Sequence, residues 1–180
     1  MGVTDEEKLL QTLEKRGFVR GGLSKWGQPV SRPVAVGHEP QILKEASALQ
    51  RRFVACAHGT PSPGTDLCAS WVEQAFSRLG LGVVLGDAKS LYDGYCHYED
   101  TRDLKVGMII AVPQHPFSAQ GLIHGHVCLY IGNETVMDAV GQEVRRTPLA
   151  LWLSAYGLMA QPRWGWLGSM GLSKERDIKS

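Results

Sequence analysis

The clearest hydrophobic pattern in the chain lies between residues 66 and 80, where apolar positions recur with the spacing of an amphipathic helix. The apolar side chains of this stripe are Trp71, Val72, Ala75, Phe76 and Leu79. Residues 60–64 include two prolines and a glycine, which cannot continue a helix towards the N-terminus. We therefore predict a helix that begins near Asp66, a favoured N-cap residue, and ends at the glycines of residues 80–82.

The same periodicity predicts helices elsewhere in the chain. They cover residues 4–16, residues 39–57, about one turn over residues 87–92, and a short helix from Pro148 to Tyr156. Residues 20–37 are rich in Gly, Pro and Ser and predict a loop, which Trp26 packs onto the core. Residues 113–121 are also predicted to form a loop.

Runs of β-forming residues occupy the second half of the chain. We predict strands over residues 106–112, 124–133, 136–140, 142–146 and 163–167, with a Gly-Asn turn at residues 132–133 that joins two of them into a hairpin. Because helices come first and antiparallel strands follow, the pattern predicts an α+β domain in which N-terminal helices pack on a small antiparallel β-sheet or barrel.

Composition indicates one globular domain. The chain has 180 residues, of which 43% are hydrophobic and 21% charged, and its net charge is +1. This balance gives no indication of nucleic-acid binding, and no apolar run is long enough to span a membrane. We expect an N-terminal helix and loop extension over residues 1–38, a main domain over residues 39–172 and a flexible tail over residues 173–180. Residues 1–8 carry no signal-peptide core, so the chain is expected to be cytoplasmic or secreted by another route.

Cys68 is the first candidate for chemistry, because the predicted helix places it in the first turn. The unpaired N–H groups and the helix dipole at that end favour a negative charge, and a thiolate is such a charge. A free cysteine is more often a small core residue, so Cys68 needs a partner before it indicates an enzyme.

The predicted hairpin offers that partner. His126 lies in an apolar strand and Asp138 lies in the next one, which is an arrangement that can hold a base and the acid that orients it. His124 is two residues from His126 and is expected on the same face of the strand, as a rim residue that contacts substrate. Cys128 is expected to be a packing residue. Alternatively, either histidine is a hydrogen-bonded surface residue and Asp138 is an exposed residue at a strand end.

Other chemistry is less well supported by the spacing. Cys56, His58, Cys68, Cys96 and His97 could supply zinc ligands, but no C-x-x-C or H-x-x-x-H spacing is present. We expect no metal and no cofactor. A cluster of aromatic residues either lines a cleft or covers a core edge, and its members are Tyr92, Tyr95 and Tyr98 with the neighbouring Cys96 and His97.

Four segments of the chain match motifs of one family. They are Asp66-Leu67-Cys68-Ala69-Ser70-Trp71-Val72, Leu104-Lys105-Val106-Gly107, Gly125-His126-Val127-Cys128-Leu129-Tyr130-Ile131-Gly132-Asn133 and Met137-Asp138-Ala139. Together they resemble the NlpC/P60 cysteine peptidases over roughly residues 40–168, and more loosely the CHAP amidases. The motifs differ from the family pattern in Leu67, which separates Asp66 from Cys68, and in Ala69 and Ser70, which replace Ser-Gly.

The resemblance implies a papain-like fold and a catalytic set of Cys68, His126 and Asp138. It implies hydrolysis of an amide bond in peptidoglycan stem peptides or a related small peptide, and His124, Tyr95 and Trp71 are expected to contact this substrate. Two alternatives stay open: an acyl or amide transferase on the same fold, and a binding domain that has the fold without the activity.

Overall fold

The computed structural model of the chain describes residues 18–19, 23–24 and 45–173. The predicted helix over residues 4–16, the placement of Trp26, and the tail after residue 173 lie outside these residues. The elements are β1 (Phe18–Val19), β2 (Leu23–Ser24), α1 (Ala48–His58), α2 (Cys68–Ser77), α3 (Ala88–Tyr95), β3 (Ile109–Val112), α4 (Ala119–His124), β4 (His126–Gly132), β5 (Thr135–Val140), β6 (Glu143–Pro148), α5 (Leu149–Tyr156) and β7 (Arg163–Gly165). Two short 3-10 helices cover Thr101–Asp103 and Leu167–Ser169.

The centre of the fold is a five-stranded antiparallel sheet in the order β6-β5-β4-β3-β7. Every residue of β3 and β4 is buried, which explains why these strands appear in the sequence as continuous apolar runs rather than as alternating ones. The sheet is open at β6 and β7, so the domain is α+β with a sheet and not the closed barrel that we allowed as an alternative.

Helices cover the sheet and bring α2 to the point where the site forms. Helix α2 packs against β4 and β5, α3 packs against β3, and α5 packs against β5 and β6. Helix α1 lies on α2, where the rings of Phe53 and Phe76 meet edge to face with their centroids 5.5 Å apart. The first turn of α2 is thereby held beside the first residues of β4 and the middle of β5.

Several predicted helix boundaries need correction. Helix α1 begins at Ala48 and not at residue 39, because Ser47 caps it through a reciprocal pair of hydrogen bonds with Gln50. Helix α2 begins at Cys68 and ends at Ser77; Asp66 does not cap it, because Asp66 adopts a left-handed turn with φ of 61°. Helix α3 is longer than the predicted turn and extends to Tyr95 from an Asp87 cap.

The strand predictions are correct in order but differ in length. The strand predicted over residues 106–112 begins only at Ile109, and the last strand ends at Gly165 rather than at residue 167. The predicted loop before β4 contains helix α4, which Ser118 caps. Within the described residues, no helix combines the length and the apolar character needed to cross a bilayer.

Candidate active site

A cavity of about 280 Å³ opens where the first turn of α2 faces the beginning of β4. Its walls come from α2, the loop before α3, the segment around α4, and strands β4 and β5. Cys68 and His126 line it, together with His115, Phe117 and Tyr156. The cavity therefore brings together residues that are up to 90 positions apart in the sequence, from Asp66 to Tyr156.

Cys68 occupies the first position of α2 and is half-buried. The N-terminus of this helix has no side-chain cap, so no capping hydrogen bond occupies the backbone N–H groups of its first turn. The thiol of Cys68 therefore lies at the positive end of the helix dipole.

His126 is the first residue of β4, where it pairs with Val112 of β3, and it is 5% exposed. Its Nε2 lies 2.8 Å from Oδ2 of Asp138, and Cys68 lines the same cavity as the ring. Since Nε2 is occupied by Asp138, Nδ1 is the ring nitrogen that remains for a proton exchange with another group. The imidazole thus has the buried carboxylate on one side and shares the cavity with the sulfur.

The charges around His126 favour its protonated form. Burial alone would lower the pKa of His126, but the Cys68 sulfur and then the Asp138 carboxylate outweigh burial and raise that pKa to about 9. The imidazolium form of His126 is therefore favoured at this position.

Asp138 lies in β5 and is completely buried. Its Oδ2 accepts hydrogen bonds from His126, from Nη2 of Arg145 at 3.0 Å and from Nε1 of Trp152 at 3.0 Å, while its Oδ1 accepts one from Nε of Arg145 at 2.7 Å. Burial would raise the pKa of Asp138, but the Arg145 charge and the hydrogen bonds from His126 and Arg145 hold it well below its usual range. Asp138 is therefore an ionised acceptor in the folded protein.

Sequence reasoning missed Arg145 and Tyr156. Arg145 is buried in β6 directly opposite Asp138, and its Nη2 donates a hydrogen bond of 2.7 Å to the Tyr156 hydroxyl. The ring of Tyr156 stacks on His126 with centroids 4.3 Å apart and an interplanar angle of 21°. A signal for Arg145 exists in the sequence: a two-residue turn at residues 141–142 sets the hairpin register that pairs it with Asp138.

His115 is a second functional candidate that the sequence did not indicate. It is buried beside Tyr156, and its Nδ1 accepts a hydrogen bond of 3.2 Å from the Phe117 backbone N–H. Burial, followed by the charges of His126 and Arg145, lowers the pKa of His115 to about 3. His115 is therefore a neutral imidazole in the cavity wall, with its ring proton on Nε2.

The residues expected to contact substrate have different positions. His124 lines the cavity but ends helix α4 instead of sharing a strand face with His126, and its Nδ1 lies 2.6 Å from Oδ2 of Asp87. Trp71 is 0% exposed and donates a hydrogen bond to the Thr60 carbonyl, so it packs the core and does not reach the cavity. Tyr95 lies at the far end of α3, outside the cavity wall.

The residues considered as zinc ligands do not come together. Cys96 is a buried thiol, and burial raises its pKa to about 12. His58 binds the Arg146 guanidinium, and His97 contacts the Gly94 carbonyl. Among the residues that the structure describes, no group of three or more His, Cys, Asp or Glu side chains is arranged to hold a metal ion.

A half-buried cysteine at a helix start, an imidazole beside it and a buried carboxylate behind the imidazole are the parts from which thiol hydrolases are built. Solved structures of similar fold are those of NlpC1 from Trichomonas vaginalis (19% identity, TM-score 0.49), the P60 domain of an antigen from M. avium paratuberculosis (12%, 0.45) and the peptidoglycan hydrolase RipB from Mycobacterium tuberculosis (18%, 0.46). The predicted resemblance to NlpC/P60 proteins is thus found among solved structures.

The matched regions cover 64%, 71% and 89% of this chain, in the same order, and 44%, 96% and 80% of the solved chains. This chain therefore spans less than half of the Trichomonas protein. No family model matches the sequence, and no curated protein matches it either.

Proposed function

We propose that this protein is a cysteine hydrolase that cleaves an amide bond, with Cys68, His126 and Asp138 as its catalytic set. The observation that carries the proposal is the placement of Cys68 and His126 in the wall of one cavity, with Nε2 of His126 held 2.8 Å from Oδ2 of the buried Asp138. A substrate in this cavity can reach the sulfur.

The first half of the reaction forms a thioester. The Cys68 thiolate attacks the amide carbonyl carbon, and the oxyanion that forms is met by backbone N–H groups of the first turn of α2, which no side chain caps. As the C–N bond breaks, Nδ1 of the imidazolium of His126 gives its proton to the leaving amine. Asp138 keeps the ring oriented through Nε2 during this transfer.

The second half releases the acid. The now neutral His126 takes a proton from a water molecule, whose oxygen attacks the thioester carbonyl. The C–S bond breaks, and the Cys68 thiolate and the His126 imidazolium form again. No group outside these residues and water is needed to balance the reaction.

Peptidoglycan stem peptides are the substrate class that we propose, because the sequence resembles NlpC/P60 peptidases.

The cavity wall has two acids, Asp66 and Asp87, and contains no Lys or Arg among the described residues. Such a wall accommodates a cationic amine of the substrate more readily than a carboxylate of the substrate. Stem peptides with a free amine are therefore the first substrates to test.

The test compares wild-type protein with Cys68→Ala on muramyl stem peptides, with cleavage products identified by mass spectrometry. We expect Cys68→Ala to lose activity by roughly 10³-fold or more, because the nucleophile is gone. Cys56→Ala is the matched control: Cys56 is also half-buried, but it lies outside the cavity wall and its loss is expected to leave activity unchanged.

The outcomes separate the alternatives. Cleavage that persists in Cys68→Ala would show that Cys68 is not the nucleophile. A wild-type protein that joins the acyl group to an added amine instead of water is a transferase. A wild-type protein that binds stem peptides but forms no product, with or without amine, is a binding domain and contradicts the proposal.

A further inference from the structure

The site contains a buried cation that a Cys-His-Asp set does not require. Arg145 is 4% exposed, and two of its nitrogens bind the two carboxylate oxygens of Asp138 at 2.7 and 3.0 Å. Arginine binds carboxylates in this forked geometry with a fixed relative orientation. The plane of the Asp138 carboxylate is therefore set by Arg145 as well as by His126.

Arg145 also reaches the other side of the imidazole. Its Nη2 donates to both Oδ2 of Asp138 and the hydroxyl of Tyr156, whose ring stacks on His126. One guanidinium thus fixes the acid at the edge of the ring and the aromatic side chain on its face. Trp152 also contacts both partners, through a hydrogen bond to Oδ2 of Asp138 and a ring contact with Tyr156, but Arg145 is the one that brings a charge.

The charge of Arg145 lies close to that of His126. Oδ2 of Asp138 accepts from both groups, so the guanidinium and the imidazole are separated by only two hydrogen-bond lengths. A carboxylate alone would favour the imidazolium strongly, and a neighbouring cation opposes that effect. The balance between the carboxylate and the guanidinium charges sets the pKa of His126.

We propose that Arg145 is a positioning residue that orients Asp138 and Tyr156 against His126 and, by balancing the Asp138 charge, sets the pH range over which His126 stays protonated. This inference deepens the proposed function, since it concerns the same site. Its test requires no substrate, so it can fail or succeed independently of any peptidase activity.

Besides the neutral ring of Trp152, which stacks on His126, the titratable groups that face His126 come from four parts of the fold. They are Cys68 of α2, Asp138 of β5, Tyr156 of α5 and His115 of the segment before α4. Burial raises the pKa of Tyr156 and lowers that of His115, so both are neutral near pH 7. The charges that compete at His126 are therefore those of Cys68, Asp138 and Arg145.

The experiment is an NMR titration of the His126 ring, assigned with His126→Gln, in wild type and folded variants. We expect Arg145→Met to raise the pKa of His126 by about one unit or more, because the opposing cation is gone. Asp138→Asn should lower it. The double variant, Arg145→Met with Asp138→Asn, should have a higher His126 pKa than Asp138→Asn alone.

The double variant keeps the test usable if Arg145→Met does not fold, since it leaves no unpaired carboxylate in the core. Tyr156→Phe is the matched control, because it removes the hydroxyl that Arg145 binds but keeps the stacked ring and every charge; its His126 pKa should stay within about 0.3 of the wild-type value. An unchanged His126 pKa in folded Arg145→Met, or equal values in Asp138→Asn and the double variant, would overturn the inference.

Discussion

The two ring nitrogens of His126 have different roles. Nε2 is held by a carboxylate that remains ionised, so in the neutral ring this nitrogen carries the proton and Nδ1 is left to exchange one with Cys68. A single side chain thereby couples a sulfur on a helix with an acid on a strand. The protonation of His126 should consequently control both activity and stability.

The pH dependence of the wild-type protein follows from the raised pKa of His126. The imidazolium is the proposed general acid, so kcat/KM for amide cleavage should fall as pH rises through about 9. The folded pKa lies above the ordinary value of 6.5. Protonation therefore stabilises the fold fully below pH 6.5, and this contribution is lost as pH rises through about 9.

Both parts of this prediction can be measured. A pH profile of kcat/KM tests the first, and urea unfolding at pH 6 and at pH 9.5 tests the second. His126→Gln serves as the control, since it should lose the part of the stability change that belongs to this ring. An activity that stays constant from pH 7 to 10 would contradict the assignment of His126.

At the scale of elements, helix α4 decides what the cavity wall contains. It has only six residues, so it is too short to show a periodic pattern, and the sequence predicted a loop there. Gly125 follows it with φ of 73°, which turns the chain between the helix and β4. His124 and His126 therefore belong to different elements, and the expected strand pair of histidines does not form.

Gly121 in α4 supports the ring of His115. A Cβ at Gly121 would lie 2.3 Å from two ring atoms of His115. We expect Gly121→Ala to destabilise the protein by about 1–3 kcal/mol, because a buried ring must move. Thermal unfolding measures this cost, and the His115 ring signals in NMR report the displacement.

Gly94→Ala in α3 is the matched substitution. A Cβ there meets nothing within 4 Å, so the same change should leave stability unchanged or raise it by up to about 1 kcal/mol through helix propensity. Equal changes in stability for Gly121→Ala and Gly94→Ala would mean that the contact with His115 does not affect stability.

For the whole molecule, the position of the nucleophile depends on the core that holds α2. Phe53 of α1 is completely buried against Phe76 of α2, and neither residue lines the cavity. We expect Phe53→Ala to lower the free energy of unfolding by about 3–5 kcal/mol, mainly through the cavity it leaves. Chemical denaturation followed by fluorescence and circular dichroism measures this loss.

The neighbouring Arg52→Ala changes an exposed side chain on the same helix and should alter stability by no more than about 0.5 kcal/mol. Coincident transitions in both signals would indicate that α1, α2 and the sheet unfold as one unit. A Phe53→Ala protein as stable as Arg52→Ala would contradict the described packing of α1 on α2.

Local spacing was enough to predict the elements that have long, regular patterns and the order in which they occur. The stripe of α2 and the apolar runs of β3 and β4 are set by local spacing, and they placed Cys68 at a helix start and His126 and Asp138 on adjacent strands. Hydrophobic burial imposes those periods on the chain, so they can be seen without coordinates.

The side chains that surround the imidazole became known only from the folded chain. Arg145 and Tyr156 have ordinary positions in the sequence, and Trp71 looks like a residue that could bind substrate, yet packing turned the first two towards His126 and buried the third. The reason is physical: a buried charge requires a partner at hydrogen-bond distance. The turn at residues 141–142 sets the register that pairs Arg145 with Asp138, but no local pattern encodes the packing of α5 and α2 around that pair.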